Sequence, residues 1–396
     1  MIRLLRAAGT AAFALALSLP LPLAAAGTAS AAPTSTTASP PPSAARLELP
    51  APTGQYAVGR ATLPLTDHSR PDPWVPAAKA RELMVDLFYP AHSGTGTPAR
   101  YATTEEIRLL LKDRGLEDVV PAETVSGTAT HSRTGARPAT GTFPLLVLSP
   151  GFTAARYTLT SLAEELASRG YVVATVDHAY ESVGTAFPGG RMLTCAACPQ
   201  VHDRETGRYA VTGRAKDVSF VLDRLTGHRP AWRYAHLIDK NRIGVGGHSL
   251  GGASAVSAMA LDSRIRAGVN MDGSFHDPVP AGGLGARPFL MLGTDNEVHR
   301  PGGTDKTWDE TWSRLDGWKR WLTVAGSDHY TFTDTPALAD QLGMPDTPPA
   351  LSGKRSVDLT RTYVGAFFDL HLRHIPQPLL QGPAKENPEV KFHRPS

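Results

Sequence analysis

A net excess of charge of either sign is nearly absent from this chain. Forty Lys and Arg face 37 Asp and Glu across 396 residues, a formal excess of +3. So neutral a surface excludes nucleic-acid or polyanion binding as the main task. Cysteine is almost missing too, with only Cys195 and Cys198. Two nucleotide signatures are lacking. Gly244-Val245-Gly246-Gly247-His248-Ser249 puts serine where a dinucleotide fingerprint needs its third glycine, and no lysine stands where a P-loop needs one. There is no internal repeat. Long apolar runs are confined to the first residues.

That first stretch reads as a leader. Arg3 and Arg6 form a basic start, Ala7–Ala25 is apolar, and Ala29-Ser30-Ala31 is a small-x-small cleavage site. Residues 1–31 are therefore a secretory signal peptide. Pro20 and Pro22 break the run and no stop-transfer charges follow, which disfavours a membrane anchor. No cysteine lies at the cleavage site, which disfavours a lipoprotein. Removing two arginines and no acids takes the formal charge from +3 to +1. Residues 32–53, rich in Pro, Ser, Thr and Ala, read as a flexible linker. A catalytic domain over 54–380 and a tail over 381–396 complete the division.

What is present centres on Gly247-His248-Ser249-Leu250-Gly251-Gly252. Before it, Arg242–Gly246 reads as a buried strand; after it, Ala253–Leu261 reads as a helix. Strand, G-x-S-x-G, helix is the setting of a nucleophile elbow. The turn is so tight that residues two before and two after the serine must be nearly without side chains, and glycine meets that need. A glycine-rich turn that binds nothing would explain the glycines but not the serine between them.

Around the elbow, strand and helix signals alternate, as in a mainly parallel α/β sheet. Strands are expected at Leu83–Pro90, Phe143–Leu148, Tyr171–Val176, Ala267–Met271, Phe289–Leu292 and Trp321–Ala325. Thr103 and Glu106 form a capping box for a helix carrying Ile107, Leu110 and Leu111. A closing helix, Ser356 to about Leu372, turns Leu359, Tyr363, Val364, Phe367 and Phe368 inward. Together these describe the α/β-hydrolase fold, helices flanking the sheet, with a small irregular insertion near 183–210 over the active site.

A serine hydroxyl needs a base, and the base needs an acid to hold it. In this fold the order along the chain is serine, acid, histidine. His329 follows the last expected strand within Gly326-Ser327-Asp328-His329, at the carboxyl edge where Ser249 also stands. His371 and His374 belong to the closing helix as surface or packing residues. For the acid, Asp272 and Asp295 both follow strands at that edge, and spacing does not choose between them. Asp328 would have to fold back on its own neighbour. The oxyanion hole should pair the Leu250 amide with one from Ser149-Pro150-Gly151-Phe152-Thr153. Pro150 has no N–H, so the Phe152 amide is the candidate. Cys195 and Cys198 read as a local disulfide in an exported chain. A redox centre lacks its βαβ context, and zinc with His202 as third ligand is the remaining alternative.

The elbow, together with Leu148–Phe152, Ser168–His178, Asn270-Met271-Asp272-Gly273 and Gly326–Asp334, resembles the plasma-type platelet-activating factor acetylhydrolase family. The match spans roughly residues 80–335, with the motifs in family order. The resemblance implies Asp272 as the acid, and a calcium-independent serine esterase or lipase without cofactor. The family's oxyanion loop usually reads His-Gly where this chain has Pro150-Gly151. Secreted cutinase-like polyester hydrolases share the elbow and place the acid near Asp295. The expectation is a secreted, extracellular serine carboxylic-ester hydrolase acting on a small-molecule or lipid ester, in transient contact with a lipid interface. A polyester hydrolase, a serine peptidase of this fold and a non-catalytic binding protein are the alternatives. Oligomeric state is left open.

Overall fold

The computed structural model describes residues 46–344 and 351–394. The expected signal peptide and most of the linker lie outside the described residues. The described chain begins with β1 (Ala57–Asp67), β2 (Arg81–Ala91), β3 (Thr97–Arg100), α1 (Thr104–Asp113), α2 (Ala122–Ser126), β4 (Ala129–Thr134), β5 (Phe143–Ser149), α3 (Thr160–Ser168) and β6 (Val172–His178). A two-stranded ribbon of β7 (Thr185–Ala186) and β8 (Met192–Leu193) leads into α4 (Arg204–Thr226). Then come β9 (Ile238–His248), α5 (Leu250–Leu261), β10 (Ile265–Met271), β11 (Phe289–Thr294), α6 (Lys306–Arg314) and β12 (Lys319–Val324). The last elements are α7 (Thr335–Gln341), α8 (Gly353–Arg373) and β13 (Val390–His393).

Eleven strands form one sheet in the order β13-β12-β11-β10-β9-β5-β6-β2-β1-β4-β3. Its middle, from β12 through β6, is wholly parallel, whereas β2 and β13 flank it antiparallel. Parallel strands covered by helices on both faces should be apolar throughout, and every residue of β5 is buried. Its side chains alternate between two cores. Leu145 and Val147 face α4 and α5, where Val218, Val221, Leu222 and Val256 pack. Leu146 and Leu148 face α3 and α8, where Leu162, Leu166, Tyr363, Phe367 and Phe368 pack. Adjacent buried pairs on α8 thus form the stripe that the helical period predicts.

Two sequence boundaries are corrected. Residues 46–53 do not belong to a linker: Leu47 and Leu49 are buried, and the Thr53 amide donates to Glu165 at 2.7 Å. Residues 390–393 are not tail but the edge strand β13, paired with β12. Both pieces are too short for hydrophobic patterning to mark them; strand pairing and a few anchored side chains hold them.

Candidate active site

β9 ends at His248 and α5 begins at Leu250, so the whole reversal falls on Ser249, at φ 54° and ψ −125°. Backbone this unusual for a residue with a side chain costs about 1–3 kcal/mol and persists where the surroundings enforce it. The glycines beside it show the enforcement. A Cβ on Gly247 would come within 2.3 Å of the Ser149 carbonyl oxygen, and one on Gly251 within 2.0 Å of the same atom. The Ser249 amide donates to the Met271 carbonyl at 2.8 Å, which locks the turn onto β10.

β10 ends at Met271, and Asp272 follows at φ 61°. Its Oδ2 lies 2.7 Å from His329 Nδ1, and His329 Nε2 lies 3.0 Å from Ser249 Oγ. The structure therefore brings Ser249, His329 and Asp272 together in hydrogen-bonding sequence. Asp295 is elsewhere. Its carboxylate accepts from Arg300 Nε at 2.7 Å and the Thr323 hydroxyl at 2.8 Å. β10 adjoins the elbow strand and β11 is one strand farther, and it is the carboxylate after β10 that meets the imidazole. Asp328 caps its own loop by accepting from the Tyr330 amide at 2.9 Å.

Two contacts were not anticipated. His299 Nδ1 stands 2.8 Å from Asp272 Oδ1, the oxygen that also accepts the Thr294 amide at 2.7 Å. Burial alone would raise the Asp272 pKa, but the bonds to His299 and His329 hold it well below the usual carboxylate range. Asp272 is thus a fixed anion. His248 Nε2 donates to the His329 carbonyl at 2.6 Å and so tethers the loop that carries the imidazole. Burial, then the neighbouring His329, pushes the His248 pKa down to about 4, so its ring is neutral. Neither histidine has a spacing signature. His299 lies beyond β11 and meets Asp272 only because β10 and β11 pair.

Leu250 opens α5, where an N–H has no intrahelical partner and the helix dipole favours negative charge. Gly151 brings the β5 loop against the elbow, since a Cβ there would lie 3.4 Å from Ser249 Cβ. The Phe152 side chain packs against the cluster that holds Ala197, Leu250 and Ala253, and also edges the cavity beside Ser249. Cys195 and Cys198 are joined as a disulfide. Both thiolates are thereby consumed, which removes the zinc alternative with His202.

A cavity of about 400 Å³ opens over Ser249 and His329. Its walls are apolar, supplied by Ile107, Leu110, Leu111, Val125, Leu338 and Leu342. They come from α1, α2 and α7 with its following turn. The insertion at 183–210 does not roof the site as expected; it contributes none of the lining, and its disulfide segment packs against Phe152 and Leu250. The amphipathic helix at 104–113 places Ile107 and Leu111 in a small hydrophobic cluster, and the same face walls the pocket.

An elbow serine and a carboxylate at adjacent strand ends, with an imidazole reaching them from the loop after β12, are features of the α/β-hydrolase class, and the chain is a carboxylic ester hydrolase. It belongs to the family described as platelet-activating factor acetylhydrolase, isoform II, whose model matches residues 43–188 and 232–344. A probable 1-alkyl-2-acetylglycerophosphocholine esterase of Arthroderma benhamiae is 29% identical, over 87% of this chain and 93% of its own. A solved ferulic acid esterase from Streptomyces cinnamoneus is 45% identical at TM-score 0.78, covering 88% of this chain and all of its own. A bis(hydroxyethyl) terephthalate hydrolase of Streptomyces coelicolor is 30% identical over 41% of this chain and 42% of its own.

Proposed function

We propose that the protein is an exported serine esterase that works through an acyl-enzyme on Ser249. The observation that carries the proposal is the pair of contacts, 3.0 Å from Ser249 Oγ to His329 Nε2 and 2.7 Å from His329 Nδ1 to Asp272, at the foot of an apolar cavity. His329 takes the serine proton as Oγ attacks the ester carbonyl. Asp272, an anion held by three donors, fixes the ring so that Nε2 faces the serine and stabilises the imidazolium that forms. The Leu250 and Phe152 amides receive the oxyanion. His329 then protonates the leaving alcohol, and water, activated by the same base, releases the acid.

The activities for which the relatives are named share one chemistry, an ester whose acyl group is a short chain or a single ring. A recessed cavity of about 400 Å³ suits that class better than a polymer surface, which would need a shallow open groove. Export is supported by the leader-like residues 1–31 and by the Cys195–Cys198 disulfide. Among the described residues, no helix is long and apolar enough to cross a membrane. Rates on p-nitrophenyl esters from acetate to palmitate test the reading. Turnover should be greatest for short and medium chains and fall steeply toward palmitate. A maximum at palmitate would overturn the substrate class, and no hydrolysis of any member would overturn the reaction.

A further inference from the structure

The segment Ser149–Thr153 carries the Phe152 amide, and both of its ends are held from outside. At one end the Pro150 carbonyl accepts from Arg214 Nη1 at 2.6 Å. At the other, Thr153, at φ 67°, donates its N–H to the Glu181 carbonyl at 2.9 Å and accepts from the Val183 amide at 3.0 Å. Glu181 joins the two ends, because its carboxylate also takes Arg214 Nε at 2.7 Å. Only Gly151 and Phe152 lie between the anchors. Ser149 adds a third hold, its Oγ 3.1 Å from His178 Nε2, whose Nδ1 sits 2.7 Å from Asp217.

These groups are not surface decoration. The side chains of Arg214 and Glu181 are each 1% exposed, and Arg81, which bridges Glu181 and Asp217, is fully buried. Stripping water from such charges is costly, and a well-packed apolar cluster would serve stability as well. What apolar groups cannot do is grip a carbonyl at a fixed angle. Burial works against the Glu181 anion, yet Arg214 and Arg81 together hold its pKa below the ordinary value, so the pair stays charged.

We propose that Arg214 and Glu181 are positioning residues for the oxyanion hole, fixing the peptide planes on either side of Gly151-Phe152 so that the Phe152 N–H meets the developing oxyanion. The inference rests on the serine-esterase reading above. It differs from a plain stability role in what it spares: binding of a molecule that never forms an oxyanion should be unaffected.

The test compares two ligands on the full chain. With an aryl trifluoromethyl ketone, Ser249 Oγ bonds the carbonyl carbon, the π pair moves onto oxygen, and His329 keeps the serine proton. The corresponding alcohol fills the same cavity without reacting. In Arg214→Gln, kcat for p-nitrophenyl butyrate and ketone affinity should each fall about a hundredfold, the range seen for losing one oxyanion donor, with KM and alcohol affinity within about threefold. Arg214→Lys, which still reaches the Pro150 carbonyl with charge, should recover part of both. Should Arg214→Gln fail to fold, Glu181→Gln tests the same point. It keeps an acceptor for Arg214 but loses the charge, so ketone affinity should fall while alcohol affinity holds. A folded variant whose ketone and alcohol affinities change equally, or not at all, overturns the proposal. A wild-type protein that forms no ketone adduct overturns instead the serine-esterase reading beneath it.

Discussion

Asp272 and His299 form a contact that a triad alone does not require: His299 Nδ1 lies 2.8 Å from the Asp272 Oδ1, on the oxygen away from His329. The carboxylate is therefore gripped from both sides. Gly293 leaves room for this, since a Cβ there would approach Asp272 Oδ1 to 3.3 Å. His299 itself is wedged against Trp308, with ring centroids 4.7 Å apart.

If that second imidazole orients the acid, its loss should be felt in turnover but less than loss of the acid. His299→Gln should lower kcat by roughly tenfold with KM little changed, since positioning errors act on the transition state. Steady-state kinetics on p-nitrophenyl butyrate measure it. An unchanged kcat would make His299 a packing residue only.

The acid itself is separable from its rival. Asp272→Asn should lose at least about a thousandfold in turnover, because an acid-deleted triad holds the imidazole in the wrong tautomer at a cost near 10⁴. Asp295→Asn should stay within about tenfold, since its carboxylate is engaged with Arg300 and Thr323 and not with His329. The reverse outcome would group the chain with the cutinase-like hydrolases.

How far the sequence carried this site can be read from particular residues. Ser249 was legible because the steric demand of the elbow leaves glycines two positions away on each side. His329 was legible because it alone among the histidines lies in the loop directly after β12. Spacing did not choose between the two carboxylates, since β10 and β11 both end at that edge; only the side-chain contacts, Asp272 with His329 and Asp295 with Arg300 and Thr323, tell them apart. His299 and His248 were invisible because their partners are met only across the sheet. The capping box on α1 was legible in Thr103 and Glu106, and the cap is made by both hydrogen bonds. That α1 covers the active site was not, because Leu110 and Leu111 look the same whether they line a pocket or a core.

Low pH should weaken the fold through His248. Burial lowers its pKa from 6.5 to about 4. Between those values the unfolded chain binds the proton and the folded chain does not, so stability falls as pH drops through that window. The contribution is about 3 kcal/mol at 1.36 kcal/mol per unit. His248→Gln keeps a donor for the His329 carbonyl without titrating, so its melting temperature should fall less between pH 6.5 and 4 than that of the wild type. Parallel melting curves would contradict the neutral buried ring.

The disulfide should matter little. It spans a sequence separation of 3, and a loop that short constrains the unfolded chain by roughly 2 kcal/mol or less. The Cys195→Ser, Cys198→Ser double variant should melt only a few degrees lower and retain esterase activity. Loss of activity at full folding would instead tie the 195–198 segment to the Phe152 loop it packs against.

Covalent labelling reports on Ser249 as the nucleophile without reference to any substrate. The wild type, incubated with a fluorophosphonate and digested for mass spectrometry, should carry one adduct on Ser249. Ser249→Ala should fold, take up no label and hydrolyse no ester above background. Equal labelling of the two proteins, or an adduct on another residue, would rule out Ser249 as the nucleophile.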